Sequence, residues 1–230
     1  MNTDIPARSK TAFIFDLDGT LLDSVYDHVL AWSQALRENA IDVPVWKIHR
    51  RIGMSGGLFT AALVRELGRD IDEVTKTKLR DRHAEIYNSI SAKIPPLPGT
   101  VALLKHLTDN EIPWAIATSS HIKTAAPVLA RLGVDTSQHV VITRDQVRYA
   151  KPDPDLFLAA AEKLGVDITH TCVVGDAVWD MLASQRARAL GIGFLSGGYG
   201  EDELIRAGAY RVFQDPADML AHIDEIGGRR

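Results

Sequence analysis

The residues most able to do chemistry stand together in the stretch FIFDLDGTLLD, residues 13–23. Phe13, Ile14 and Phe15 form a short apolar run with Ala12 before it. Such a run reads as a strand covered on both faces, as in a parallel sheet. Asp16 and Asp18 end it, and Gly19 then permits a sharp change of direction. Alternate residues of an extended chain share a side, so the two carboxylates point the same way. Paired anionic groups repel each other unless a cation, a shared proton or a reaction accounts for them.

Other candidates also lie where strands end. WAIATSS supplies Thr118, Ser119 and Ser120 just before a helical segment, an arrangement suited to an anion such as phosphate. YAKPDP supplies Lys151, and TCVVGDAVWD supplies Asp176 and, one helical turn later, Asp180. Carboxylates, hydroxyls and one lysine suit Mg²⁺, which takes hard oxygen ligands from one or two carboxylates, substrate phosphate and water. Each motif alone has a plainer reading. Asp-x-Asp serves as a turn or helix cap, Thr-Ser-Ser as an N-cap, Lys-Pro as a surface turn, and Gly-Asp as part of a βα loop. Their joint occurrence, in order and each at a strand end, favours a shared site.

The elements that must position these residues alternate. Strand signals at AFIF, 112–118, 139–143, 171–175, 191–196 and 210–214 are separated by the helical patterns TVALLKHLTDN, KTAAPVLARLG, PDLFLAAAEKLG and WDMLASQRARALG. This alternation predicts an α/β fold, a Rossmann-like doubly wound parallel sheet, with its ligand beyond the carboxyl ends of the strands. Residues 24–93 break the pattern. Val25, Val29, Trp32 and Leu36 recur at helical spacing, LFTAALVRELG and KLRDRHAEIYNSI read as helices, and PPLPG punctuates the return to alternation. An all-helical cap is therefore expected at 23–94, inserted into a core of 1–22 and 95–230. A cap entering there lies over the strand ends and excludes water.

The 230 residues are 46% hydrophobic and 24% charged with a formal net charge of -4, enough to bury a substantial core. A mildly acidic chain whose basic pairs, Arg50-Arg51 and Arg229-Arg230, are isolated gives no reason to expect nucleic acid or an anionic membrane as partner. The lone Cys172 sits in an apolar run and reads as core. The start MNTDIPARSK lacks the apolar stretch of a signal peptide, and a soluble cytoplasmic protein, monomer or homodimer, is expected.

DLDGT, ATSS, KPDP and GDAVWD resemble the four successive motifs of the haloacid dehalogenase superfamily, in its branch of phosphatases with a helical cap after the first strand. The resemblance runs from Thr11 onward. It implies phosphoryl transfer, with Asp16 as nucleophile, Asp18 as general acid/base, Thr118 as a phosphate donor with Ser119 beside it, and Lys151 as a charge clamp. Asp16, Asp176 and the backbone carbonyl of Asp18 are implied to hold Mg²⁺, with Asp180 on the ion or one step behind. Dehalogenases and phosphonate-cleaving relatives depart at the second aspartate, which is kept here.

Two reactions then compete, hydrolysis of a small phosphomonoester (phosphoglycolate or a sugar phosphate) and phosphosugar mutation of the β-phosphoglucomutase kind. A catalytically silent binding protein is a remote third reading. DSVYDHVLAW resembles the opening cap helix of the mutases, in which a histidine at the position of His28 contacts the general acid; His28 otherwise simply lines the cap seam. RIGMSGG resembles their specificity loop, but glycine replaces the mutase arginine at 56 or 57, and motif four reads Gly-Asp rather than Glu-Asp. With no cation there to grip a second phosphate, hydrolysis is expected. Arg50 and Arg51 either substitute for that cation or form a solvated face. His28, Arg50, Arg51, Met54 and Ser55 are the expected pocket residues, with Lys123 and SGGYG as outlying candidates.

Overall fold

A computed structural model describes residues 11–68 and 71–228; the N-terminal segment 1–10 and Arg229-Arg230 lie outside them. Among the described residues six parallel strands form one sheet. They are β1 (Ala12–Phe15), β2 (Trp114–Ala117), β3 (Val140–Ile142), β4 (Thr171–Gly175), β5 (Leu190–Phe194) and β6 (Ala209–Phe213), in spatial order β3-β2-β1-β4-β5-β6. β1 is central. Its Phe15 pairs with Ile116 on one side and Val174 on the other. The chain steps outward from β1 to β3, then returns to lay β4 on the other side of β1. That reversal creates the crevice at which sheets of this kind bind ligands, and it opens between the tips carrying Asp16 and Asp176.

Strand alternation divides the core between the two faces. Phe13, Phe15, Ile116, Val174 and Ile192 pack with Leu103 and Leu107 of α5 (Thr100–Asp109), Val128 of α6 (Ile122–Arg131) and Met219. Ile14, Ala115, Ala117 and Val173 pack with Phe157 and Ala160 of α7 (Asp155–Leu164) and Ala183 of α8 (Val178–Ala187). Burial on both faces is why these strands read as apolar runs rather than alternating ones. The lone Cys172 is core.

The cap is helical, as the lack of strand signals requires. It comprises α1 (Val25–Glu38), α2 (Val45–His49), α3 (Gly56–Leu67) and α4 (Glu73–Ile90). Val25, Val29, Trp32 and Leu36 form one stripe of α1 and pack with Ile48, Phe59, Leu63 and Leu79, so the cap has its own small core. Its two connections to the sheet are hydrogen-bonded to each other, Asp23 N to Pro95 O at 3.1 Å and Leu97 N to Leu21 O at 3.0 Å. No helix among the described residues is long and apolar enough to cross a membrane.

Phe157, fully buried, both fills one face of the sheet and lies with its ring centroid 5.2 Å from the Lys151 ammonium. Phe157→Ala is expected to destabilise the fold by about 3–5 kcal/mol, read as a lower urea midpoint at an unchanged m-value.

Candidate active site

The site forms where β1 and β4 end. Asp16 follows β1 and is only 4% exposed; its backbone N–H donates to Val174 O at 2.8 Å. The Lys151 ammonium, fully buried, lies 2.5 Å from Asp16 Oδ1 and 2.8 Å from Asp180 Oδ1. Asp180, in the first turn of α8, accepts from the Ala177 backbone N–H at 3.0 Å through its other oxygen. Burial would lower the pKa of Lys151, but Asp16 and Asp180 hold it above its ordinary value, so the ammonium stays charged. Asp176 accepts a 2.7 Å hydrogen bond from Thr20 Oγ1 on Oδ1. Its carboxylate rests against Gly19 and Gly197: a Cβ on either would come within 2.4 and 2.0 Å, respectively, of Asp176 Oδ2.

Three carboxylates thus share one buried ammonium, and suitable oxygens of Asp16, Asp176 and Asp180 lie within 4.8 Å of one another. The protein supplies too little positive charge for them. Burial raises the Asp16 pKa to about 7; Lys151 opposes that rise and Asp180 adds to it. Burial, then Asp180 and Asp16, push Asp176 well above the ordinary range. Lys151 occupies Asp16 Oδ1 and Thr20 occupies Asp176 Oδ1, which leaves Oδ2 of each as the open donor among the described residues. An all-oxygen donor set with surplus buried negative charge fits a divalent cation.

Asp18 is held quite differently. Its Oδ1 accepts from Ser24 at 2.8 Å and Tyr87 at 3.1 Å and lies 3.2 Å from His28 Nε2; its Oδ2 accepts from Ser120 at 3.0 Å. Burial would raise its pKa, but His28, Ser24 and Ser120 outweigh that and keep the carboxyl well below the usual range. His28 stacks on Tyr87 with centroids 3.8 Å apart and reaches His83 Nε2 through Nδ1 at 3.1 Å. Burial and the neighbouring His28 hold His83 well below its ordinary pKa despite Asp18.

Both aspartates open onto a cavity of about 400 Å³ between sheet and cap, whose lining includes His28, Trp32, Arg51, Gly53, Met54, Thr118 and Ser119. Thr118 Oγ1 accepts from Ser120 N at 3.0 Å, and Ser119 Oγ donates to Gly53 O at 3.0 Å, joining core to cap.

Several residues expected in the pocket are elsewhere. Arg50 turns to the core, pairs with Glu203 and lies 4.2 Å from the Tyr199 ring centroid, and its carbonyl accepts from Trp179 and Tyr199. The carboxylate and the ring satisfy its charge outside the cavity. Ser55 is buried as the N-cap of α3, where its hydroxyl is spent on Leu58 N. Lys123 is exposed on α6 and does not line the cavity, although His121 and Thr124 beside it do. SGGYG meets the end of α2, with Gly197 O 2.8 Å from His49 Nε2. Arg51 does line the cavity but is paired with Glu66.

Arg80, His83 and Tyr87 lie at i, i+3 and i+7 on one stripe of α4; their spacing marks a shared face but not what that face meets. The loop around Gly56 carries no cation of its own. Arg80 lies there: a Cβ on Gly56 would sit 3.4 Å from Arg80 Cδ. Helix packing brings in from α4 what the loop itself lacks.

Residues 10–188 match the family of haloacid dehalogenase-like hydrolases. The chain belongs to that family. It is 28% identical to an N-acetylmuramic acid 6-phosphate phosphatase of Pseudomonas aeruginosa over 93% of this chain and 94% of the relative. It is 30% identical to a β-phosphoglucomutase of Bacillus subtilis over 92% of each. The crystal structure of a hydrolase from Pseudomonas syringae superposes with a TM-score of 0.93 at 51% identity, covering 95% of this chain and all of that one. The described fold, a parallel sheet with an inserted helical cap, is that of the family.

The raised carboxylates give a test that needs no turnover. A folded carboxyl held near 7 keeps a proton that the unfolded chain releases near 4, so the metal-free protein loses stability as pH rises between those values. A divalent cation held by Asp16 would displace that proton. The rise in melting temperature caused by Mg²⁺ is therefore expected to grow from pH 5.5 to 8 and to vanish in Asp176→Ala. A pH-independent shift would contradict the assignment.

Proposed function

We propose that the enzyme is a Mg²⁺-dependent phosphatase of small phosphomonoesters that works through an aspartyl-phosphate on Asp16. The observation that carries this is the contrast between two neighbouring carboxylates: Asp16 tied to the Lys151 ammonium, Asp18 held by hydroxyls and a histidine. Environments that differ in this way assign different tasks.

Asp16, Asp176 and the backbone carbonyl of Asp18 would hold Mg²⁺, with Asp180 oriented behind by Lys151. When bound, the ion supplies charge that offsets the repulsion between phosphate and Asp16 and stabilises the transferring oxygens. Asp16 attacks phosphorus, the ester P–O bond breaks, and the leaving oxygen takes a proton from Asp18. Water then attacks phosphorus, gives its proton to Asp18, and the Asp16–phosphorus bond breaks to release inorganic phosphate. The observed contacts favour the ionised form of Asp18, the form that accepts the proton from water. A substrate dianion arriving beside it raises its pKa and favours the acid form for the first half. Thr118 and Ser119 orient the phosphate, and the cap segment 23–94 acts as a lid.

A phosphosugar mutase is the second reading, and Arg80 over Gly56 favours it by supplying a cap cation. With β-glucose 1-phosphate, Mg²⁺ and a trace of the 1,6-bisphosphate, release of inorganic phosphate without glucose 6-phosphate is expected. Rapid formation of glucose 6-phosphate without free phosphate would establish the mutase instead. Asp16→Asn should lower turnover by about 10⁴-fold or more while leaving the fold intact; a variant that kept a tenth of wild-type activity would rule out the covalent route.

A further inference from the structure

The cavity wall away from Asp16 and Asp18 has an unbalanced charge. Besides those two aspartates no acidic side chain lines it, whereas Arg51, Arg80 and Arg144 do; of the lining histidines, His28 faces Asp18 and His121 is paired with Asp145. Arg51 is neutralised by Glu66. Among the described residues, Arg80 and Arg144 have no carboxylate partner within ion-pair reach. Arg80 Nη2 donates to Thr77 Oγ1 at 2.8 Å, and Arg144 Nη1 and Nη2 donate to the carbonyls of Val147 and Arg148 at 2.6 and 3.2 Å. These are neutral acceptors, and they leave most of the ten guanidinium donors of the two side chains unused.

The two arginines come from opposite sides of the cavity. Arg80 belongs to α4 of the cap, and its stem lies over Gly56, where a Cβ would be in van der Waals contact with it. Arg144 follows β3 in the core, and its backbone N–H donates to Ser120 O at 3.1 Å, in the loop that carries Thr118. Aromatic side chains occupy the wall: Trp32 stacks with Phe59 at 4.1 Å and with His83 at 4.3 Å between centroids. A cavity of about 400 Å³ has room for a sugar-sized body as well as a phosphate.

We propose that Arg80 and Arg144 recognise a second anionic group on the substrate, a carboxylate or a second phosphate, borne on the body of the phosphomonoester away from the transferred phosphate. The inference rests on the phosphatase reading and narrows its substrate class. A planar guanidinium binds either anion through paired hydrogen bonds, and such charge-assisted contacts are about twice as strong as neutral ones. Because one arginine is on the cap and the other on the core, a substrate with a second anionic group joins the two parts, and a singly phosphorylated polyol engages only the floor.

The test compares three probes of similar size by calorimetry on Asp16→Asn protein with Mg²⁺, in which turnover is blocked. Glucitol 6-phosphate has no second charge, gluconate 6-phosphate carries a carboxylate, and glucose 1,6-bisphosphate carries a second phosphate. At least one charged probe is expected to bind about tenfold or more tightly than glucitol 6-phosphate, and which one does so identifies the anion. Arg80→Gln and Arg144→Gln, each added to Asp16→Asn, are expected to reduce that preference severalfold, and Arg80→Lys to restore part of it. Equal affinity for all three probes overturns the inference, as does a preference that both glutamine variants retain. Wild-type phosphate release from the same three compounds decides the phosphatase reading separately. Turnover without charge preference sinks only the anion site, and charge-selective binding without phosphate release sinks only the phosphatase.

Discussion

The surplus of buried negative charge at the tips of β1 and β4 is the constraint on which the rest of the structure depends. Asp16, Asp176 and Asp180 are all nearly inaccessible, and one ammonium serves them. An uncompensated carboxylate in such surroundings is costly and raises its own pKa until it protonates. The fold reduces that cost by binding Lys151 between two of the aspartates, by giving Asp180 the N–H of a helix start and by giving Asp176 the Thr20 hydroxyl. What is left over is negative charge that a divalent cation would neutralise. The glycines beside Asp176 follow from the same crowding, since no side chain fits there.

A second principle organises the other carboxylate. Asp18 lies where the cap meets the core, and its donors come from both: Ser24, His28 and Tyr87 from the cap and its hinge, Ser120 from the loop after β2. Its protonation is therefore coupled to the seating of the cap. The Ser119–Gly53 and His49–Gly197 contacts and the Arg50–Glu203 pair lie on the same seam. His28 and Tyr87, both on cap helices, are among the contacts that favour the ionised form of Asp18.

Much of this was legible in the chain. A run of β-forming residues ended by two aspartates pointed to a buried strand with chemistry at its tip, because strands of a parallel sheet covered on both faces read as uniformly apolar, as Ala12–Phe15 does. Strand and helix alternation gave the sheet, and the 3.6-residue recurrence of Val25, Val29, Trp32 and Leu36 gave the helical insertion. The four motifs named the residues of the charged floor, for their types and order are local properties of the sequence.

Tertiary packing decided which side chains face that floor across the cavity. Arg50 and Arg51 are adjacent in sequence, yet Arg50 meets Glu203 in the core and Arg51 meets Glu66 in the cap, so neither charge is free. Arg80 and Gly56 are 24 positions apart, and only the packing of α3 and α4 lays the one over the other. Periodicity fixes which residues share a helical face, but the direction of that face depends on what the helix packs against. The sequence therefore determined which chemical groups stand at the strand ends, while the partners of each cap cation, and with them the charge of the cavity wall, were set by contacts between segments distant in the chain.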